Sequence, residues 1–263
     1  MITDALTAPA PRTAQRLAPG RRVYAIGDVH GHLDKLAALH GAIRRDLRDR
    51  PVASPLLVHL GDLIDRGPDS AGCVALLAAG PPLRGVPTVN LMGNHENMML
   101  MALDRRRPGD KEHWLANGGD EALASWGIPA SIDPAMWPAL IPPAHLAFLR
   151  GLQMHHIQDR YLFVHAGVQP GIRLAQQRRS DLLWIRQGFL DWGGPMLPED
   201  PGLVIVHGHT PRPRPEVRAN RIGVDTGAGQ DGPLTCAVLE GADVRFMQEC
   251  GPDGPLAMQA GER

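Results

Sequence analysis

The sequence predicts an α/β fold, on three observations. Its first hundred residues repeat the order strand, polar turn, helix three times, which is the pattern of a sheet with crossover helices. Further short apolar runs after residue 161 read as a second set of strands. A hydrophobic fraction of 43% with 21% charged residues supplies a core without disulfides.

The opening "RRVYAIGDVHG" has an apolar run, Val23 to Ile26, that breaks at Gly27. In "LDKLAALHGAIRRDLRDR" the residues Leu33, Leu36, Leu39, Ile43 and Leu47 recur at helical spacing, and Pro51 ends the helix. "PLLVHL" (55–60) is the second strand. After "GDLIDRGPD" comes the short helix "SAGCVALLAAG", with Ser70 as its expected N-cap and Gly80 at its end. "VPTVNLM" (86–92) is the third strand, broken by "GNHE" and followed by the helix "NMMLMALDRRR".

Residues 104–152 change character: Pro, Trp and Gly are frequent, and only "PAHLAFLRGL" is a clear amphipathic helix. The stretch reads as a mainly helical insertion over one side of the sheet. Strands return with "YLFVHAG" (161–167), "GLVIVHGHT" (202–210), "RIGVDTG" (221–227), "LTCAVLEG" (234–241) and "VRFMQEC" (244–250). Tight turns between the last three predict antiparallel pairing. Before them, "SDLLWIRQGFLDW" reads as one helix with Leu182, Ile185 and Phe189 on one side. The expected organisation is a disordered Pro/Ala-rich arm (1–20), one domain (21–250) and a flexible tail (251–263).

Composition excludes several function classes. With 27 Lys+Arg against 28 Asp+Glu, the net charge of −1 gives no global basic field for nucleic acid or anionic lipid. No run approaches the ~18 apolar residues of a membrane span. Cys73, Cys236 and Cys250 are odd in number and widely spaced, as in a reducing compartment, so a cytoplasmic protein is expected.

Five strand ends carry one kind of chemistry: Asp28 and His30 in "GDVHG", Asp62 in "GDLIDRG", Asn94 and His95 in "GNHE", His165 in "VHAG" and His209 in "HGHT". Any one of these is more often a turn or a hydrogen-bonded loop residue. Together, at the carboxyl ends of strands in an open α/β sheet, they face one crevice. Carboxylate, amide oxygen and imidazole without thiolate suit Mn²⁺, Fe²⁺ or Zn²⁺. There are enough donors for two ions, and a bridging carboxylate offsets the repulsion between two cations.

In these motifs, from about residue 22 to 240, the chain resembles the metallophosphoesterases, and most closely the phosphoprotein phosphatase branch with the phage and bacterial Ser/Thr phosphatases. The resemblance implies a sandwich of two central mixed β-sheets flanked by helices. It implies that Asp28 and His30 hold a first metal, that Asp62 bridges, and that Asn94, His165 and His209 complete a second site. Arg66 and Arg186, the latter in "LLWIRQGF", match the phosphate-clamping arginines, His95 the general acid and Asp65 its orienting partner. The implied activity is hydrolysis of phosphoserine or phosphothreonine, with phosphotyrosine as an alternative, by hydroxide generated at a two-metal centre. The expected ions are Mn²⁺, with Fe or Zn as alternatives. The expected partner is a phosphorylated protein or peptide, with neither nucleic acid nor membrane. A dinucleoside polyphosphate hydrolase is the runner-up, which would make nucleotide polyphosphates the substrates. A phosphate-binding module without turnover is a third reading.

Other residues weigh less. His207 competes with His209 for the second metal, but "GHT" matches the family at His209. Pro211 stands where other metallophosphoesterases place a further histidine. Asp225 reads as a turn residue or a support to the ligands, and His59, His155 and His156 as structural. Trp114, Trp126, Trp137, Trp184 and Trp192 read as packing, with Trp114 or Trp126 able to rim the cleft.

Overall fold

A computed structural model describes residues 17–104, 107–129 and 131–250, and the backbone of 257–260. Two mixed sheets lie at its centre. The first contains β1 (Arg21–Ile26), β2 (Ser54–His59), β3 (Thr88–Asn90), β9 (Leu234–Glu240), β10 (Asp243–Glu249) and β11 (Ala257–Ala260), in the order β11-β10-β9-β1-β2-β3. The second contains β4 (His155–Gln158), β5 (Tyr161–Val164), β6 (Val204–His207), β7 (Glu216–Val217) and β8 (Arg221–Gly223), in the order β4-β5-β6-β8-β7. β1, β2 and β3 are mutually parallel, as are β5, β6 and β8.

Strand alternation explains the layering. Val23 and Ala25 of β1 pack between the sheets with Val58, Phe163, Val206 and Leu239. Their neighbours Tyr24 and Ile26 turn the other way, onto Leu36, Leu39 and Ile43 of helix α1 (Leu33–Asp49). On the far side, Leu162, Val164 and Ile205 pack against Leu182 and Phe189. The sandwich of two mixed sheets flanked by helices is the architecture expected.

Helix α2 (Ser70–Ala78) is capped by Asp69, whose Oδ1 accepts the Gly72 N–H at 2.7 Å. Ser70, the expected cap, instead accepts the Asp65 N–H through its hydroxyl at 2.9 Å. Helix α3 (Asn94–Leu103) begins inside the "GNHE" motif rather than after it. The 104–152 stretch holds α4 (Asp110–Trp114), α5 (Asp120–Ser125), α6 (Trp137–Leu140) and α7 (Pro143–Arg150). A bend at Asn117 and Gly118 separates α4 from α5.

Two expectations differ from the structure. The helix read over 180–192 is broken into α8 (Arg179–Trp184) and α9 (Gln187–Leu190), with Arg186 between them at φ −132°, ψ −101°. Leu182 and Arg186 share a helix face at i, i+4, and Leu182 is buried in the core. An unbroken helix would sink an unpaired guanidinium there, at high cost. The second difference concerns β8, which pairs in parallel with β6 instead of antiparallel with β9. Residues 224–233 between β8 and β9 are long enough to cross from one sheet to the other, whereas β9 and β10 form the expected antiparallel pair around Gly241.

At the N-terminal end of the chain, 1–16 of the expected arm lie outside the described residues. Leu17 is buried, and its N–H donates to the Gly241 carbonyl at 2.9 Å. Of the expected flexible tail, 257–260 pair antiparallel with β10, and the rest lies outside the described residues. No helix among the described residues is long and apolar enough to cross a membrane.

Candidate active site

Every strand of the two parallel triplets delivers its polar turn to the same place. Asp28 and His30 follow β1, Asp62 follows β2, and Asn94 and His95 open α3 after β3. His165 follows β5, His209 follows β6 and Asp225 follows β8. They meet in a cleft of about 280 Å³ whose lining includes Asp28, His30, Asp62, Asn94, His95 and His209, together with Arg66 and Arg186.

The turns are conformationally costly. Of seven described non-glycine residues with positive φ, five belong to this site: His30 (46°), Asp62 (50°), Asp65 (73°), Arg66 (67°) and His209 (65°). Such backbone persists only where surroundings over-determine it. Glu96 does much of that holding. Fully buried, its carboxylate accepts the N–H groups of Asp62 (3.0 Å), Leu63 (2.6 Å), Ile64 (3.3 Å) and Gly93 (2.8 Å). Burial and the nearby Asp62 push its pKa up to about 7. Gly93 and Gly208 are required by close approach, since a Cβ on either would collide with the carboxylate of Asp62 or Asp28.

The donor set fits divalent cations. His30 Nδ1 lies 3.1 Å from the Ile64 carbonyl and His165 Nδ1 3.0 Å from the Leu60 carbonyl, so each Nδ1–H is committed and each Nε2 carries its lone pair. The free His165 Nε2 stands 2.8 Å from Asn94 Oδ1 and 3.4 Å from Asp62 Oδ2. Asn94 Oδ1 is also 2.8 Å from His209 Nδ1. Burial lowers the pKa of His165 and takes that of His209 down to about 3. A second proton on either ring is therefore disfavoured, and the nitrogen each neutral ring leaves bare suits a cation. One group of donors, Asp62, His165 and His209, lies within 4.8 Å of one another, and a second group is His30, Asp62 and His95. Asp62 is common to both. His209 Nε2 is buried without a partner among the described residues.

Carboxylate crowding points the same way. Burial, with the charges of Asp225 and Asp62, raises the pKa of Asp28 well above its usual range. Asp225 is pushed up to about 6, first by burial. Its carboxylate caps Gly227 N–H at 2.9 Å and lines the cleft. His207 points elsewhere, with its ring edge-on to Phe189 at 4.9 Å and its Nδ1 3.0 Å from the Gly208 carbonyl.

A second cluster handles protons and anions. His95 Nδ1 lies 2.7 Å from Asp65 Oδ2. Burial alone would lower the His95 pKa, but the Asp62 charge and the Asp65 hydrogen bond outweigh it and raise it. Burial raises Asp65, opposed by His95 and Trp114. The Arg66 guanidinium donates to His30 Nε2 at 3.2 Å and to His95 Nε2 at 3.0 Å. For His30 to offer that nitrogen to a cation, the guanidinium must turn outward, toward the centre of the cleft. Arg186 reaches the cleft from the break between α8 and α9.

All ten sequence-derived site residues thus converge, with His165 and Asp65 fully buried. Sequence reasoning assigned no role to Glu96, Asn117 or Gln230, and placed Trp184 in the core. Asn117, Trp184 and Gln230 line the cleft. Trp114 does not rim it but lies buried behind Asp65, and Trp126 donates to His145 at 3.0 Å. "GNHE" alone carried a signal for Glu96, since a Glu three residues past a helix start is a capping pattern.

Fold and donor set together define a metal-dependent hydrolase of the α/β sandwich type. The model of the calcineurin-like phosphoesterases matches residues 21–233, and the chain belongs to that family. It is 33% identical over 223 residues to serine/threonine-protein phosphatase 1 of Salmonella typhimurium, covering 84% of this chain and 93% of that protein. A shorter similarity, 27% over 149 residues, links it to a symmetrical bis(5'-nucleosyl)-tetraphosphatase of Aromatoleum aromaticum, covering 57% of this chain and 45% of that protein. In fold it is similar to the cold-active protein-tyrosine phosphatase of a psychrophilic Shewanella species, with a TM-score of 0.56 at 20% identity over 94% of this chain and 83% of that one.

Proposed function

We propose that this chain is a phosphomonoesterase acting on phosphorylated protein, with phosphoserine and phosphothreonine as its substrates and phosphotyrosine as a further member of the class. The observation that carries this reading is the His95–Asp65 pair, 2.7 Å apart, beside Arg66 and the shared carboxylate of Asp62. Asp28 and His30 would hold one cation, Asn94, His165 and His209 a second, and Asp62 both. Bound there, two divalent ions would lower the pKa of solvent and offset the charge of a phosphoryl group. Mn²⁺ suits this oxygen and imidazole set, and Fe²⁺ or Zn²⁺ fits the same donors.

The chain's own groups do the rest. Arg66 and Arg186 carry planar guanidinium forks that match two oxygens of a tetrahedral phosphate. Once Arg66 turns outward onto the phosphate and His95 is protonated on both nitrogens, the ring keeps Nδ1–H on Asp65 and presents Nε2–H to the departing alkoxide. Asp65, charged and anchored, fixes the ring and favours the protonated form. No nucleophilic side chain is required. Phosphopeptide is the proposed substrate because the dyad serves a poor alkoxide leaving group, and because the relative matched over most of both chains is named a serine/threonine-protein phosphatase. A cytoplasmic setting belongs to the same reading, with Cys73 and Cys236 buried as free thiols.

The test is a metal series on phosphopeptides and on diadenosine tetraphosphate at equal enzyme. Turnover of phosphoserine and phosphothreonine peptides with Mn²⁺, abolished by chelation, is expected. Turnover of the dinucleotide alone would replace this reading with a polyphosphate hydrolase.

A further inference from the structure

A basic concavity that the chemistry above does not use begins one residue along the chain from the cleft. Thr210 and Pro211 line the cleft, and the chain then runs "PRPRP" over 211–215. Pro211, Pro213 and Pro215 fix φ at every second position, and the chain bends at Pro213 and Arg214. Arg212 and Arg214 stand on either side of Pro213, whose ring limits how far the backbone between them can rearrange. Both are exposed, and among the described residues neither guanidinium has a hydrogen bond or ion pair. Glu216, the acidic residue next along the chain, is occupied by Arg218 at 2.9 Å and Arg221 at 3.0 Å.

These residues line a hollow of about 650 Å³. Its four arginines, 212, 214, 218 and 221, face two carboxylates, Asp191 and Glu216, a surplus of two positive charges. Its lining also includes Leu190 and Asp191, at the end of α9. That helix starts beside Arg186 in the cleft, so Leu190 is about 6 Å along its axis. Two chain segments thus leave the phosphate site and meet again at the hollow, which places the hollow beside the cleft rather than across the molecule.

We propose that this concavity is a second anion subsite, receiving the carboxylates that flank the phosphorylated residue of an extended peptide, so that acidic phosphopeptides are the preferred substrates. The proposal rests on the protein phosphatase reading. The flanking prolines cut the backbone share of the ordering cost, and the unpaired arginines offer bidentate forks to Asp or Glu. Because the site is exposed, the preference is screened by salt.

The test compares two phosphopeptides that differ only in flanking Asp or Asn residues. They are assayed with the metal-loaded enzyme and with Arg212→Gln/Arg214→Gln, each normalised to 4-nitrophenyl phosphate turned over by the same protein. At low salt the wild type should prefer the acidic peptide by about three- to thirtyfold in kcat/KM, mainly through KM. The double variant, and high salt, should bring the ratio close to one. Equal turnover of both peptides by the wild type, or a preference the double variant keeps, overturns the subsite and leaves the phosphatase reading standing. Hydrolysis of the aryl phosphate but of neither peptide overturns both. Loss in the double variant of diadenosine tetraphosphate hydrolysis alone, with peptide selectivity unmoved, assigns the hollow to a polyphosphate and also overturns the proposal.

Discussion

The indole Nε1 of Trp114 lies 3.0 Å from both carboxylate oxygens of Asp65. The helical insertion therefore reaches through the core to the group that holds His95. Gly119 is pressed against this indole, where a Cβ would stand 2.6 Å from the ring. Replacing Trp114 by Phe removes one donor from a buried carboxylate, and hydrogen bonds to charged groups contribute about 1.5–3 kcal/mol. Turnover of an alkyl phosphate should fall by about 10- to 100-fold. A 4-nitrophenyl ester, which needs little protonation of its leaving group, should fall much less. Equal losses on both substrates would mean that Trp114 only supports the fold.

His95 carries the second prediction. Its ring lies among potential ligands, 4.7 Å centroid to centroid from His30, and its Nε2 is 3.9 Å from Asp62 Oδ2. The short bond to Asp65 argues for acid rather than ligand. His95→Asn should cut turnover of a poor leaving group by about 10²–10⁴ while metal content, measured by elemental analysis, persists. Loss of metal in that variant would make His95 a ligand.

How far the sequence foretold this site depends on distance along the chain. Asp62, Asp65 and Arg66 sit in one turn and were legible because the turn is too polar for a core. Asn94 and His95 were legible for the same reason. The break at Arg186 was hidden because Leu182, Ile185 and Phe189 keep a helical period across it, so only the cost of burying the guanidinium separates α8 from α9. Trp114 is 49 residues from Asp65, and no local pattern says which of five tryptophans turns its N–H inward. The crossing of β8 into the second sheet was equally hidden. Its pairing with β6 is a long-range choice, set by the length of 224–233 rather than by the strand itself.

Metal and stability should be linked. With the Nε2 lone pairs of His30 and His165 aimed toward Asp62, the first once Arg66 turns outward, cations that bind the folded chain alone stabilise it by about 2.7 kcal/mol each at a hundredfold excess over Kd. For a domain of this size that is a rise of several degrees in Tm per ion, roughly 2–4 °C per kcal/mol. Thermal melting of stripped protein titrated with Mn²⁺ measures it. Asp62→Asn, which weakens the one carboxylate both groups share, should lose most of the rise, whereas Asp225→Asn should keep the larger part. An undiminished rise in Asp62→Asn would refute the shared role.

The last prediction concerns pH and lies outside the cleft. His40 and His59 are buried in contact, Nε2 to Nε2 at 3.0 Å, and His59 Nδ1 is 2.7 Å from Asn90 Oδ1. With His59 Nδ1–H given to Asn90, His40 Nε2–H donates to His59 Nε2. Protonating His59 therefore puts two protons between the rings and breaks the bond, while charging His40 costs the burial of an imidazolium. Burial takes His40 down to about 4, and burial with the neighbouring ring takes His59 down to about 3. Both folded values lie below the unfolded value of about 6.5. The unfolded chain therefore binds more protons as pH falls, and the stability present above pH 6.5 drains away between there and about 4. Each histidine contributes on the order of 1–3 kcal/mol to that loss. Urea unfolding of metal-saturated protein from pH 7 to 4.5 should show the decline, and His40→Gln should make it shallower by removing one of the two protonations. An identical slope in that variant would place the acid sensitivity elsewhere, in the cleft histidines.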